Sequence, residues 1–153
     1  MITIERRVGR LVEATMRTPT TLDDIDSAGR RMAEVLGGLP RRGVICADFT
    51  QAKILLAPES EALARVFRHT NEHFERSAVL VSSTSATSVL QMERVIREAE
   101  NPARRAFREA IELVVWLSEI LDAAERERIH AMLAERIAGP PSQRRSNPYS
   151  EPT

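Results

Sequence analysis

Residues Arg76 to Leu121, RSAVLVSSTSATSVLQMERVIREAENPARRAFREAIELVVWLSEIL, decide the fold class. This stretch holds a short apolar run, a hydroxyl-rich turn, an amphipathic segment, a second short run and an apolar helix that includes Trp116. Short apolar runs of this length are typical of buried strands, whereas the longer segments have helical spacing. The order strand, helix, strand, helix therefore predicts an α/β fold with strands packed between helices.

The segments before this stretch extend the same pattern. Ile2 and Ile4 alternate with polar residues, and Gly9 supplies a turn, so Met1 to Arg17 is predicted to form a β-hairpin. Thr21 is a good N-cap for a helix that ends at Gly37-Gly38. Gly43 to Asp48 predicts a buried strand. Phe49 to Ala57 fits either a helical turn or an irregular crossing, and we leave both open.

Two further helices complete the chain. One begins at Pro58 and ends near Glu75, with Phe67, Thr70 and Phe74 on its buried face. The other runs from Asp122 to Ala138. The sequence thus predicts one domain, residues 1–138, with a mixed sheet of four to five strands, helices packed on it, an N-terminal hairpin and an extra C-terminal helix. Residues 139–153 are polar and contain prolines, so we expect a disordered tail.

Helix Glu109 to Leu121 is apolar almost all round, so we expect it to be well covered. The arginine runs, such as Arg104-Arg105, are interleaved with acidic residues, and we interpret them as solvated surface. Lys53 is the only lysine in the chain, and we attribute the preference for arginine to codon composition.

Composition narrows the classes of function. The chain has 153 residues with 22 Lys or Arg and 22 Asp or Glu, so its formal net charge is zero. Nucleic-acid binding usually requires an excess of basic residues, so we predict that this protein does not bind nucleic acid. A single cysteine, Cys46, and the lack of a signal-peptide core or an apolar stretch of about 20 residues indicate a cytoplasmic protein without a membrane span.

Several short segments of the sequence together resemble those of a known family. They are the hairpin with Gly9, the strand Val44–Asp48, the strand Ala78–Ser82, and two later segments, Phe107-Arg108-Glu109-Ala110 and Val115-Trp116-Leu117. Over about residues 1–121 the chain resembles the SpoIIAA-like branch of the STAS superfamily, also described as STAS/Sec14-like domains.

This resemblance implies a non-enzymatic bacterial domain that regulates through protein contacts, with no cofactor. Its partner would be a protein, and a second copy of the chain is one candidate. A carrier of a lipid or small molecule, of Sec14-like type, is the competing hypothesis. Related anti-anti-sigma proteins carry a phosphorylatable Ser or Thr in a defined sequence motif. Nothing near Pro58-Glu59-Ser60 matches that motif, so the resemblance does not imply a phosphorylation switch in this chain.

Two groups of polar residues are candidates for contact with a ligand or a phosphate. Ser82, Ser83, Thr84 and Ser85 lie between a strand and a helix start, where free N–H groups can bind an anion; ordinary N-capping is the alternative. Asp48 and Thr50 follow a central strand, and ligands of open α/β sheets gather at such strand ends. A turn-forming role is the alternative for Asp48.

His69-Thr70-Asn71-Glu72-His73 fits the H-x-x-E-H pattern of inverted zinc peptidases. That chemistry requires two imidazoles one turn apart on a helix, a glutamate base and a third ligand. Helical phase places Glu72 nearly opposite the core, and the chain is short for such an enzyme. We therefore predict a partly exposed histidine pair, with no metal and no catalytic residues. A hydrolase using His69, Glu72 and His73 is the least favoured hypothesis.

Overall fold

The computed structural model describes residues 1–138, and the tail predicted from residue 139 onward lies outside the described residues. The strands are β1 (Ile2–Val8), β2 (Leu11–Arg17), β3 (Gly43–Gln51), β4 (Phe74–Leu80) and β5 (Arg104–Phe107). The helices are α1 (Leu22–Gly37), α2 (Ala57–Thr70), α3 (Ala86–Glu98), α4 (Ala110–Ser118) and α5 (Ala123–Ala138).

The five strands form one mixed sheet in the order β1-β2-β3-β4-β5. β1 pairs antiparallel with β2, and the remaining pairs are parallel. A register shift between Arg6 and Val8 interrupts β1, which is an edge strand of the sheet within residues 1–138. The predicted α/β fold, with its N-terminal hairpin and C-terminal helix, is confirmed. No helix within residues 1–138 is both long and apolar enough to cross a membrane.

Alternation along the strands divides the core into two layers. Ile45 and Ala47 of β3 face α1, α2 and α3, whereas Val44 and Cys46 face α4 and α5. Because successive side chains of a strand point to opposite faces, a run of apolar residues fills both layers. This explains why the central strands lack the polar alternation of a one-sided sheet.

The helix predicted to end near Glu75 is shorter than expected. α2 ends at Thr70, whose Oγ1 donates to the carbonyls of Val66 and Phe67, both at 3.1 Å. Phe74 is buried, but it begins β4 and does not continue the helix. The spacing of Phe67, Thr70 and Phe74 was misinterpreted because one buried layer receives residues from a helix and from the following strand.

Two expectations about exposure are also wrong. On α4, Ile111 and Val115 are 66% and 58% exposed, although the helix was expected to be covered. In the other direction, Arg104 is buried beneath α2, with its guanidinium carbon 3.9 Å from the ring centre of Phe67. Arg105 and Arg108, the other arginines of this run, are exposed and form the solvated surface that was expected.

Trp116 fixes α4 to the edge of the sheet. Its ring centre lies 5.5 Å from that of Phe107 at the end of β5. The guanidinium carbons of Arg76 and Arg105 each lie 4.9 Å from the ring centre of Trp116, which is within cation–π range. The indole is half-buried, so it joins α4 to β4 and β5 while keeping one edge in solvent.

Candidate functional site

The predicted site residues lie at one edge of the sheet but on its two faces. Asp48 of β3 pairs with Leu80 of β4, so the chain positions Thr50 and Ser82 just beyond this pair at the carboxyl ends of the two strands. Asp48 and Thr50 face α5, because their contacts are with Arg136. Ser82 lines a cleft on the opposite face. The structure therefore does not bring the two groups together.

Asp48 and Thr50 bind each other and α5. The backbone N–H and the Oγ1 of Thr50 both donate to Asp48 Oδ1, at 3.0 and 2.6 Å. Arg136 Nε lies 3.7 Å from Asp48 Oδ2, and Arg136 Nη1 donates to Thr50 Oγ1 at 3.3 Å. Asp48 is 9% exposed. The carboxylate thus stabilises a turn and an ion pair inside the fold.

The hydroxyl-rich segment orders the start of α3. Ser85 is the N-cap, and its Oγ accepts the N–H of Ser88 at 3.3 Å and donates to Ser88 Oγ at 2.9 Å. Ser82 Oγ accepts the N–H of Thr84 at 3.3 Å. Ser83 and Thr84 are exposed. These contacts are those of the N-capping alternative, and they occupy most of the hydroxyls that the ligand hypothesis would use.

A shallow cleft, open to solvent, lies between the ends of β2, β3 and β4 and the start of α3. It is lined by Met16, Phe49, Ala52, Lys53, Val81, Ser82, Ser88, Gln91 and Met92. Of these, Ser82 was predicted, whereas Lys53 and Gln91 were missed. No carboxylate of residues 1–138 lies within ion-pair distance of Lys53.

The segment Ala52–Leu56, which we name the apolar loop, forms one wall of this cleft and is held by Gln91. Gln91 Oε1 accepts the N–H of Leu55 at 2.8 Å, and Gln91 Nε2 donates to the carbonyl of Leu55 at 2.7 Å. Leu55 is buried, while its neighbours Ile54 and Leu56 are 53% and 73% exposed. The irregular crossing is thus the correct alternative for this segment.

Two features of the sequence mark this loop. Three consecutive aliphatic residues, Ile54-Leu55-Leu56, cannot all turn inward on an irregular segment. The only lysine of the chain directly precedes them. Together these features indicate an exposed segment in which aliphatic residues follow a lysine, whereas every other position of the Lys or Arg type in the chain is arginine.

The histidine motif does not have the geometry that its pattern requires. His69 lies in the last turn of α2, whereas Glu72 and His73 follow the helix. The N–H of His73 donates to Thr70 O at 3.0 Å, and the carbonyl of His73 accepts the N–H of Gly43 at 3.0 Å. The premise of two imidazoles one helical turn apart is therefore wrong. Within the described part of the chain, no cluster of three or more His, Cys, Asp or Glu side chains is placed to bind a metal.

Comparisons with protein-family models, with curated proteins and with solved structures find no match to this chain.

Proposed function

We propose that this chain is a non-enzymatic regulatory domain of the STAS/SpoIIAA-like type that its sequence resembles, and that it acts by binding a protein through the apolar loop. The observation that carries the proposal is the fixed exposure of Ile54 and Leu56 on a loop that Gln91 holds at both backbone groups of Leu55. A loop that only connected β3 to α2 would not require aliphatic side chains that face water.

Preorganisation of the apolar loop favours binding of a partner. Exposed aliphatic side chains gain about 25 cal/mol per Å² of area that a partner removes from water. Ordering a mobile loop on binding would offset part of this gain, at about 1–2 kcal/mol per residue. Because Gln91 already orders the apolar loop, that cost is small here. Lys53 adds a positive charge beside the aliphatic pair, so the fitting partner presents an acidic residue next to apolar ones.

The carrier hypothesis has no comparable observation in its favour. Ligand pockets that enclose drug-sized molecules have volumes of roughly 300–1,000 Å³. The cleft beside the apolar loop is a shallow groove whose enclosed space, about 10 Å³, holds roughly one water molecule. Within residues 1–138, buried apolar side chains of the sheet and the helices pack into one cluster on each face of the sheet.

Amine-specific cross-linking tests the proposal, because Lys53 carries the only side-chain amine. The remaining amine is the Met1 α-amino group, which donates to the carbonyls of Arg17 and Pro19 at 2.8 and 2.6 Å. We expect the wild-type protein, in an extract of its organism of origin, to form a discrete cross-linked species with one partner. Lys53→Arg keeps the charge and should remove that species.

The double variant Ile54→Ser/Leu56→Ser keeps Lys53 and should reduce the cross-linked species at least about tenfold, since roughly 1.5–3 kcal/mol is lost per buried aliphatic side chain. The matched control is Ile111→Ser/Val115→Ser, which removes similarly exposed aliphatic residues from α4 and should leave the species unchanged. An undiminished species in the folded loop variant would refute the proposal.

A further inference from the structure

α4 carries apolar side chains on two faces, and only one of them is covered. Leu113, Val114 and Leu117 are buried in the cluster that α4 shares with the sheet and α5, whereas Ile111 and Val115 are 66% and 58% exposed. Residues four apart are neighbours on a helix surface, so the exposed pair forms one ridge. A helix that is apolar all round is normally covered all round. The ridge is therefore an apolar surface that the described part of the chain leaves open to solvent.

Two charged side chains lie on one flank of this ridge. The guanidinium carbon of Arg105 lies 4.9 Å from the ring centre of Trp116. Glu112 is exposed and lies one helical turn before Trp116, on the same side of the helix. Within residues 1–138 neither Arg105 nor Glu112 takes part in an ion pair, whereas the other arginine on the indole, Arg76, is bound to Glu119 at 2.6 Å. This part of the chain thus leaves one cation and one anion of the flank without an ionic partner.

An antiparallel pair of α4 helices brings these two charges together. If the two-fold axis passes at the level of Leu113, Ile111 of each copy lies opposite Val115 of the other, and the charged flanks of both helices lie on the same side. At a rise of about 1.5 Å per residue, Glu112 is then about 3 Å along the helix axis from Trp116 of the second copy, and about 6 Å from its own. A parallel pair would place the two charged flanks on opposite sides and leave both charges unpaired.

We propose that the ridge of Ile111 and Val115 is the contact surface of a symmetric dimer, in which α4 packs antiparallel on α4 of a second copy and Glu112 pairs with the Arg105 that lies on the second copy's indole. A second copy is the occupant that fits, because one patch supplies the apolar ridge, the acid and the base that it requires on the other side. One helix face is smaller than the roughly 800 Å² per partner of a standard interface, so we expect a weak dimer with a Kd on the order of 10–100 μM.

This contact is separate from the apolar loop. The cross-linked species expected there is covalent, so its mass on a denaturing gel does not depend on pairing through α4. Either proposal can therefore fail without the other.

Sedimentation equilibrium of the wild-type protein tests the dimer. We expect the average mass to rise with concentration from 17.2 kDa towards twice that value. Val115→Ser should raise the Kd at least about tenfold, because a symmetric interface loses the side chain twice. The matched control is Leu90→Ser, which removes a similarly exposed aliphatic residue, at 61%, from α3 and should leave the Kd unchanged. The loop variant Ile54→Ser/Leu56→Ser should leave it unchanged as well.

A pair of charge-reversal variants tests the antiparallel arrangement. Glu112→Arg alone sets arginines against each other across the interface, and Arg105→Glu alone sets carboxylates against each other, so each variant should dimerise more weakly than the wild type. In an equal mixture, the introduced arginine meets the introduced glutamate while the native Arg105 meets the native Glu112. We expect the mixture to regain the wild-type Kd. Both positions are exposed, and circular dichroism should show that each variant is folded.

A wild-type mass that stays at 17.2 kDa up to about 1 mM protein would overturn the proposal. A dimer that Val115→Ser leaves intact, or that Leu90→Ser or the loop variant weakens to the same extent, would do so too, since the copies would then meet through another surface. If Val115→Ser acts as expected but the mixed charge variants stay as weak as the separate ones, the antiparallel pairing of Glu112 with Arg105 is refuted.

Discussion

Gly9 is the residue at which local and long-range constraints coincide. Its φ of +54° lies in the left-handed region, and a Cβ added there would overlap Oε2 of Glu125. The sequence predicted the turn, because glycine between alternating segments is a strong local signal. It did not predict the contact with Glu125, since nothing in a local pattern indicates which distant residue will pack on the turn.

Gly9→Ala is expected to lower the free energy of unfolding by about 1–3 kcal/mol, because alanine resists the positive φ and its Cβ displaces the carboxylate that accepts the N–H of Arg10. Gly37→Ala is the matched control. No atom lies within 4 Å of a Cβ at Gly37, so alanine should be neutral or stabilise the helix by up to about 1 kcal/mol. Urea unfolding midpoints measure both; equal effects would contradict the account of Gly9.

Arg104 shows where residue-level patterns are insufficient. The guanidinium stacks on Phe67, donates to Phe67 O at 3.2 Å and to Thr70 Oγ1 at 3.0 Å, and so binds the last turn of α2. Burial lowers its pKa to about 9, so it remains protonated at neutral pH. A cation at the negative end of a helix is stabilised by the carbonyls there. An arginine beside another arginine gave no indication of this role.

At the scale of elements, capping signals were the most informative. Thr21 was predicted as the N-cap of the first helix, and its Oγ1 accepts the N–H of Asp24 at 3.1 Å while Asp24 Oδ2 accepts the N–H of Thr21 at 2.9 Å. The end of α2 was missed because no glycine or proline marks it. The helix α5 was predicted at Asp122 to Ala138, but the contacts of its arginines were not, since only the strands beneath decide whether an arginine on a helix flank meets a carboxylate.

The ionic contacts of α5 predict a dependence of stability on pH. The hydrogen bond from Arg128 lowers the pKa of Glu135 below its ordinary value near 4.5. Because a lowered carboxyl pKa stabilises the folded state above the unfolded-state pKa, this contribution is present at neutral pH. It is lost as the pH falls below about 4.5 and through the folded-state value.

Glu135→Gln should therefore show a smaller loss of stability between about pH 7 and about pH 3 than the wild type. Glu127→Gln, an exposed change on the same helix, should retain the wild-type dependence. Urea midpoints across this range measure the difference. Parallel curves for Glu135→Gln and the wild type would show that the Arg128 contact contributes nothing in solution.

At the scale of the whole molecule, the fold was predictable because buried strands and amphipathic helices have distinct periods, and their order determines which topologies are possible. The site was not predictable to the same extent. Asp48 and Ser82 follow neighbouring strands, yet the faces to which they point depend on strand phase and on which helix covers each layer. The apolar loop is defined by Gln91, 36 positions from Leu55, which no local pattern links to it.

The apolar clusters packed on both sides of the described sheet lead us to expect that the protein carries no apolar ligand. Native mass spectrometry of freshly purified protein should give the 17.2 kDa chain mass or whole multiples of it, without added small-molecule mass. The Met92→Ala variant enlarges the cleft and serves as a comparison in which a hydrophobic molecule has more room to be retained. A wild-type protein that retains a lipid would reverse the preference between the two proposed functions.

The register shift near the end of β1 has a consequence for solubility. A free strand edge is a template on which other chains can assemble into fibrils, and charged residues and bulges prevent this. β1 presents Glu5, Arg6 and Arg7 as exposed residues just before its pairing becomes irregular, and β5 at the opposite margin is only 4 residues long. Both margins of the described sheet therefore disfavour the addition of further strands, and we expect association to use helices and loops instead.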